Sequence, residues 1–461
     1  MPIIPLAIER NGAMPSGEEA AVALELDDIQ SGALRPRPSP YVGVFILLRI
    51  DDRRAGRELL RRLIPALTDA TGPADPSHQA WVSAALSYQG LKALGVPQDS
   101  LDSFPLPFQQ GMAARAAELG DIGESAPENW EKPLGTAEVH VALSALSPDA
   151  ARLESVLARA RKGYEELTGV SALWRLDCHA LPTEAEAFGF RDGISHPAVE
   201  GSGIPGSNPM ERPIKAGEFL LGYPNEMGEV SRMPRPDNLG KNGTYVVFRK
   251  LHQRVAAFRQ YLKANSSSPE EENLLGAKMM GRWQSGAPLA LCPMRDDPEL
   301  GADPKRNNVF LFKDDDPKGL TTPPGSHIRR MNPRDSDISS FTRIHRMIRR
   351  GSSYGPVLPP GVLEDDGAER GLAFVFVGAD LKRQFEFVQS EWVNKGEFFR
   401  GPPDDKDPIV GATGGSGSFT IPQQPIRRRL QGLPAFVVTR GGEYFFAPGL
   451  RALGWLADLE S

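Results

Sequence analysis

At 461 residues the chain exceeds one ordinary core; at about 150 residues per domain it would make about three domains, and two larger ones fit equally well. Hydrophobic residues at 40% and charged residues at 24% describe a globular chain that can bury a substantial core. With 53 basic against 59 acidic side chains the formal charge is −6, so no global field favours nucleic acid or a membrane surface, and neither partner is expected.

Residues 1–30 are acidic and weakly periodic, which predicts an extended or partly disordered arm. No charged stretch followed by a long apolar run begins the chain, and the longest apolar run, at 42–48, is too short to cross a bilayer. A cytoplasmic protein is therefore expected. A β-branched and aromatic run at 41–50 predicts a buried strand. Leu59, Leu60, Leu63 and Leu67 then predict a helix over 54–67. Strands are expected near 81–88 and 139–146. Ser147-Pro148-Asp149 supplies an N-cap, a proline at the first helical position and an early negative charge, and predicts a helix to about 167. A strand at 172–178 closes a series compatible with a ferredoxin-like sandwich.

Residues 181–242 are rich in Gly and Pro and too long for a passive connector, so they form a functional wrap or an interdomain segment. A strand over 244–250 and a helix over 252–263 follow. Ser268-Pro269-Glu270-Glu271 reads as a capping box opening a helix to about 283. Strands at 341–349 and 372–377, a helix at 380–393 and a hairpin of 436–439 with 444–447, turning at Gly441-Gly442, complete the series. The α+β mixture of the first half recurs, predicting an arm (1–30) and two similar α+β domains (31–215 and 216–461).

Three segments carry chemistry. Gly189-Phe190-Arg191-Asp192-Gly193 places a carboxylate between glycines that let backbone approach a flat ligand, the stretch 325–334 offers His327 amid guanidinium groups, and 349–355 brings a further cation. Together they suggest a haem pocket. Each has a plainer reading alone: a lone histidine is usually structural, Asp-Gly usually caps a turn, and Arg349 could be a solvated edge-strand charge. Two cysteines, Cys178 and Cys292, argue against a disulfide framework or a cysteine-based zinc site, and without Cys-x-x-Cys-His any haem would be held without thioether links. The run Asp314-Asp315-Asp316 reads as a solvated turn rather than an ion site. The other histidines, His78, His140, His179, His196, His252 and His345, lack such context; His196 stands out by lying just behind Asp192.

Taken in this order, the motifs resemble those of the dye-decolorizing peroxidases of the longer type. Gly-x-x-Asp-Gly stands at 189–193, His-Ile-Arg-x-x-x-Pro-Arg at 327–334 and Arg-x-x-x-x-Tyr-Gly at 349–355. Further matches lie at 28–30, 277–283, 370–374 and 440–446. The resemblance implies two ferredoxin-like domains of the dimeric α+β barrel type, one haem b in the second, and a peroxidase that uses hydrogen peroxide to oxidise dyes and phenols. It implies His327 as the axial iron ligand with Asp407 as the acid behind it. It also implies Asp192 as the group that moves the peroxide proton, and Arg349 as the cation that stabilises developing negative charge and keeps Asp192 charged. Gly351 stands where some relatives carry an asparagine. Arg329 or Arg334 would pair with the propionates, Gly189 and Gly193 would admit the cofactor, and Leu372 and Phe374, two apart on a strand, would wall the distal side. Trp392 and Tyr354 are the candidate surface aromatics for electron transfer to bulky donors. A haem carrier or sensor without turnover is the alternative, a metal-dependent hydrolase using Asp192 and the Asp314 run a third reading, and the resemblance leaves room for a homo-oligomer.

Overall fold

The first half of the chain contributes strands β1 (Val42–Ile50), β2 (Trp81–Leu86), β3 (Val141–Ser147) and β4 (Val170–His179). The second contributes β5 (Thr244–Gln253), β6 (Ile348–Arg349), β7 (Ser352–Tyr354), β8 (Gly371–Gly378), β9 (Gly417–Ile421), β10 (Arg428–Leu433) and β11 (Val437–Ala447). These come from a computed structural model that describes residues 22–72, 79–335, 342–397 and 401–460. One sheet runs β4-β1-β3-β2-β11-β5-β8-β6, with β7 also on β8 and β9-β10 as a separate hairpin. Counted within each half, both segments have the order fourth, first, third, second. Helices Arg53–Leu63 and Ala150–Glu165 follow the first and third strands of the first half. In the second half, Val255–Ala264 and the turns from Leu381 to Val393 take the same places. Each half is thus a ferredoxin-like α+β unit.

The two units meet at β2 and β11, which share the pair Leu86–Phe446. At the other edge β4 lies against β7, so the sheet curls toward a barrel. Alternation along β1 sends Val44, Ile46, Leu48 and Ile50 under the first-half helices, against Leu59, Leu60 and Leu157. Phe45 and Leu47 face the barrel interior with Trp81, Phe248, Tyr354 and Phe445. A third core fixes the site: Phe188 and Phe190 pack with Phe258, Tyr261, Met279 and Phe436, the rings of Phe188 and Phe258 being 4.8 Å apart.

Several expectations need correction. Residues 1–21 lie outside the described residues, but 22–30 are packed rather than loose, with Ile29 and Asp28 buried. Gln30 donates to the carbonyls of Ala84 at 2.9 Å and Pro448 at 2.8 Å, stapling this segment across the β2–β11 seam. The helix after β3 is capped by Asp149, whose carboxylate accepts from the Arg152 N–H, and Ser147 belongs to the strand. Half of the expected capping box forms: Ser268 accepts from the Glu271 N–H, but the Glu271 carboxylate takes the N–H of Ser267 at 2.8 Å rather than that of Ser268, and this helix stops at Met280, where Gly281 turns left-handed at φ 95°. The expected strand at 341–349 begins outside the described residues, and its described part is a turn, Arg343–His345, followed by the two residues of β6. The predicted helix at 380–393 is wound as wide π-type turns. The predicted hairpin at 436–447 is one strand, β11, with a bulge between Thr439 and Gly441. Residues 181–242 do wrap the core, burying Val199, Ile214, Phe219 and Leu220 beside Ile29 and Val377. No helix among the described residues is long and apolar enough to cross a membrane.

Candidate active site

A cavity of about 590 Å³ opens between the loop 188–196, the break between β6 and β7, the inner face of β8 and the short helix His327–Met331. That volume suits a cofactor-sized ligand. His327 Nδ1 lies 2.9 Å from Asp407 Oδ2, and the other carboxylate oxygen accepts from the N–H groups of Ile409 at 2.8 Å and Val410 at 3.0 Å. A carboxylate only accepts, so Nδ1 carries the hydrogen and the Nε2 lone pair is left for a metal. Burial works to raise the Asp407 carboxyl, but His327, Arg330 and the Val410 N–H outweigh it and hold the group below the usual carboxylate range. A five-residue helix does not hold itself. Arg330 holds it, donating to the carbonyls of Gly325 at 3.0 Å, Trp392 at 2.7 Å, Lys395 at 3.1 Å and Asp405.

Asp192 sits between Gly189 at φ 97° and Gly193 at φ 76°, conformations that favour glycine. Glu186 is the template for this loop: its carboxylate accepts from the N–H groups of Phe188 and Phe190, both at 3.0 Å, and from Gln253. Burial pushes the Glu186 carboxyl up to about 7 despite these donors. Asp192 and Arg349 line the same cavity, but the ionic partner of Asp192 is Arg37, at 3.6 Å. Arg37 also donates to the Gly351 carbonyl and lies 4.3 Å over the Tyr41 ring. Arg349 donates to the Ser195 carbonyl at 3.1 Å. The expected division of labour is thereby corrected, since Arg37, which sequence reasoning missed, holds the carboxylate and leaves the Arg349 fork toward the cavity.

Leu372 and Phe374 line the cavity from β8, as their two-residue spacing predicts, and Gly193 lines it too. Gly189 does not; it shapes the turn beneath the wall. Arg329 is a second correction. It is buried away from the cavity, bonded to Asp316 Oδ2 at 3.1 Å and the Thr322 carbonyl at 2.7 Å, above the Phe312 ring. The acidic run is therefore more than a solvated turn, because Asp316 neutralises Arg329 while Asp315 caps the Leu311 N–H. Arg334 does line the cavity, beside Arg282, a residue of the 277–283 segment for which the sequence carried no expected role. Burial and then Arg282 push Arg334 down to about 9; burial and then Arg349 push Arg282 down to about 10. Neither forms an ion pair among the described residues; their bonds go to carbonyls and to Asn308. Guanidinium groups stay charged at neutral pH, so this wall is short of negative charge.

Comparison with known proteins gives the arrangement a family. The family model of the DyP dimeric alpha+beta barrel domain matches residues 28–173. Peroxidase 2 of Mycetinis scorodonius is 34% identical over 94% of this chain and 88% of its own length. A fungal DyP-type peroxidase from Auricularia auricula-judae superposes with a TM-score of 0.81 at 29% identity, covering 95% of this chain and 100% of that one. A dye-decolorizing peroxidase in complex with 2,6-dimethoxyphenol has the same TM-score of 0.81 at 28% identity, over 94% and 100% of the two chains. The chain belongs to the dye-decolorizing peroxidase family.

Dye-decolorizing peroxidases are haem enzymes, and the residues here fit that group. A single imidazole with Nδ1 already engaged, apolar walls from Leu372, Phe374 and Ile328, and two guanidiniums lacking carboxylate partners suit a flat, iron-bearing dianion. For this dye-decolorizing peroxidase the two proposed surface aromatics are misplaced: Trp392 is 1% exposed and Tyr354 3%. Among the other histidines, His140 accepts from the Ile50 N–H and His345 stacks on Phe387 at 4.0 Å, both structural contacts. His78 lies outside the described residues, and His196 lines the cavity.

Proposed function

We propose that this protein binds one haem b through His327 Nε2, with Arg282 and Arg334 receiving the propionates, and that it reduces hydrogen peroxide at the expense of aromatic dye and phenol donors. Bound there, the haem would supply the electrons that break the O–O bond and recover them singly from two donor molecules. Asp192 takes a proton from one peroxide oxygen and delivers it to the other, which leaves as water. Arg349 places a cation where negative charge gathers on the departing oxygen. Arg37 holds the Asp192 carboxylate in place, and Glu186 fixes the loop that carries it. Asp407 keeps the Nδ1 hydrogen and so the orientation of the ring. Phenolic donors are supported by the related peroxidase in complex with 2,6-dimethoxyphenol.

The observation that carries this reading is a single cavity lined at once by an imidazole with its Nδ1 committed to a buried carboxylate and by both Asp192 and Arg349. The test is a stopped-flow absorption record of the haem-loaded protein mixed with one equivalent of peroxide. Rapid spectral conversion, followed by return of the resting spectrum on adding a phenol, is expected. Haem binding with an unchanged spectrum would make the protein a carrier. Changing His327 to Ala is expected to abolish stable haem uptake, and an unaltered Soret band in that variant would assign the ligand elsewhere. A cytoplasmic location belongs to this proposal and is tested by fractionating the native host.

A further inference from the structure

Among the described residues that line the cavity, six are exposed: Gly193 on the Asp192 loop, and Ile122, Gly123, Glu124, Gly414 and Gly415. The last five share one mouth, because hydrogen bonds stitch their loops into a ring. Asn394 joins the loop 119–125 to the loop 410–415, donating to the Leu119 carbonyl at 3.1 Å and accepting from the Ala412 N–H at 2.8 Å. The Thr439 N–H on β11 donates to Ser125 Oγ at 3.0 Å. Arg254 closes the ring: its guanidinium donates to both oxygens of Glu124, at 2.9 Å and 2.6 Å, and its N–H donates to the Phe436 carbonyl at 2.8 Å. A Cβ at Gly123 or at Gly414 would have nothing within 4 Å, so the lip is open at both places. An opening framed in this way is shaped before a ligand arrives.

The surface inside the lip is apolar. Ile122 is 55% exposed, and Val410, Pro434, Ala435 and Val437 are half-buried beside it on the cavity wall. An exposed apolar surface with a polar rim is the usual form of a ligand groove. The charged side chains lining this mouth are matched one for one, Asp121 with Arg249 and Glu124 with Arg254. The wall that carries Asp192 also carries Arg37, Arg349 and Arg350, and is cationic. An uncharged aromatic ring entering by the mouth therefore gains apolar contact and meets no net field, whereas a sulfonate finds no unmatched cation there. Electrons from a donor must also reach the cofactor. Trp392 and Tyr354, at 1% and 3% exposed, do not offer a surface relay, but a donor seated in this mouth meets the cavity directly.

We propose that this mouth is the docking site for aromatic donors, and that its balanced charge selects uncharged phenols over sulfonated dyes. The inference deepens the haem-peroxidase reading above and rests on it. Each docked phenol gives one electron to the oxidised cofactor and its hydroxyl proton to water at the open lip, so two phenols are consumed for each peroxide reduced.

The test uses the haem-loaded protein, with 2,6-dimethoxyphenol as the neutral probe and a sulfonated azo dye as the anionic one. Replacing Ala435 with Trp fills the mouth. Equilibrium dialysis against the resting protein, with no peroxide present, is expected to show 2,6-dimethoxyphenol bound at least about tenfold more weakly by Ala435→Trp. The iron should speed relaxation of the phenol ring protons in wild type, and that effect should fall with the affinity. Ile122→Asn changes an exposed side chain and is expected to weaken the same binding about fivefold, the value of a small apolar contact. Glu124→Gln leaves Arg254 unmatched, so the ratio of dye KM to phenol KM should fall about fivefold. Wild-type phenol affinity in both Ala435→Trp and Ile122→Asn places the donor at another opening and overturns the proposal. An unchanged KM ratio in Glu124→Gln overturns the selection by charge. Loss of the Soret band in Ala435→Trp, with phenol affinity unaltered in Ile122→Asn, would make the mouth an entry port for the cofactor and overturns it too. Failure of the peroxidase reading shows separately, as haem-loaded wild type whose spectrum does not respond to peroxide.

Discussion

Arg349 and Arg37 present the same functional group to the cavity, and their different partners separate their roles. Arg349 spends one N–H on the Ser195 carbonyl, whereas Arg37 faces Asp192 and the Gly351 carbonyl. A cation that acts only as charge gathers on the leaving oxygen is worth on the order of a hundredfold or more in rate. Arg349→Leu should therefore slow the peroxide reaction by at least about a hundredfold while the Soret band persists. Arg37→Leu should cost less, about tenfold, because it loosens Asp192 without removing the charge beside the breaking bond. Stopped-flow rates at matched haem loading decide between them, and wild-type speed in Arg349→Leu would move the role to Arg37 or Arg350. Of these two, only Arg349 was legible in the sequence, because it sits in a spaced motif. Arg37 lies in Arg-Pro-Arg-Pro, where neither periodicity nor spacing marks it, and only the return of the chain brings it 3.6 Å from Asp192.

At the scale of elements, most long strands of the large sheet could be read from β-branched and aromatic runs, whereas the short β7 and the β9–β10 hairpin were not foreseen, and the other errors fall where one residue type serves two purposes. Gly441-Gly442 looks like a hairpin turn, but β11 passes straight through with a bulge. The glycines are needed for close approach: a Cβ at Gly441 would stand 2.5 Å from the Leu134 side chain, and one at Gly442 would stand 2.8 Å from the Phe248 carbonyl. Likewise Arg329 and Arg330 are adjacent in one motif with nothing local to tell them apart, yet one is neutralised by Asp316 and the other gathers carbonyls. That second contact yields a prediction for the whole proximal element. Arg330→Met fills similar volume but leaves the carbonyls of Gly325, Trp392, Lys395 and Asp405 without their donor. A loss on the order of 3–5 kcal/mol is expected, together with at least a tenfold weaker haem affinity, since the helix bearing His327 is no longer tied to the segment bearing Asp407. Thermal melting and haem titration measure the two effects. A variant that lost stability but kept wild-type haem affinity would show that the helix is positioned by something else.

For the molecule as a whole, the two ferredoxin-like units are joined through the β2–β11 pair, the Gln30 staple, a core in which Phe104 and Phe108 pack with Tyr245 and Phe446, the buried ion pairs Arg115–Glu386 and Arg249–Asp121, and a buried carboxylate. Glu443, on β11, accepts from the Tyr444 N–H at 2.9 Å and reaches the Met112 N–H of the first unit at 3.4 Å. Burial pushes this carboxyl from an ordinary 4.5 up to about 7, against the two N–H donors that favour its charged form. A group whose folded value is raised contributes stability that is complete below pH 4.5 and is lost as the pH rises through about 7. The trend of the wild-type protein alone would not isolate it. Burial holds His140, His196, His252 and His345 below the usual range, and these contribute in the opposite sense, losing stability as the pH falls below 6.5. Glu443→Gln removes one term and leaves the rest, because an amide keeps the acceptor oxygen and cannot ionise. Near pH 5 the variant and wild type should melt within a degree or two of each other. By about pH 8 the variant should be the more stable, by up to about 3 kcal/mol, the full value of a shift from 4.5 to about 7. A difference that stayed constant from pH 5 to pH 8 would mean that Glu443 is ionised throughout, and that the seam is held by a charge rather than by a proton.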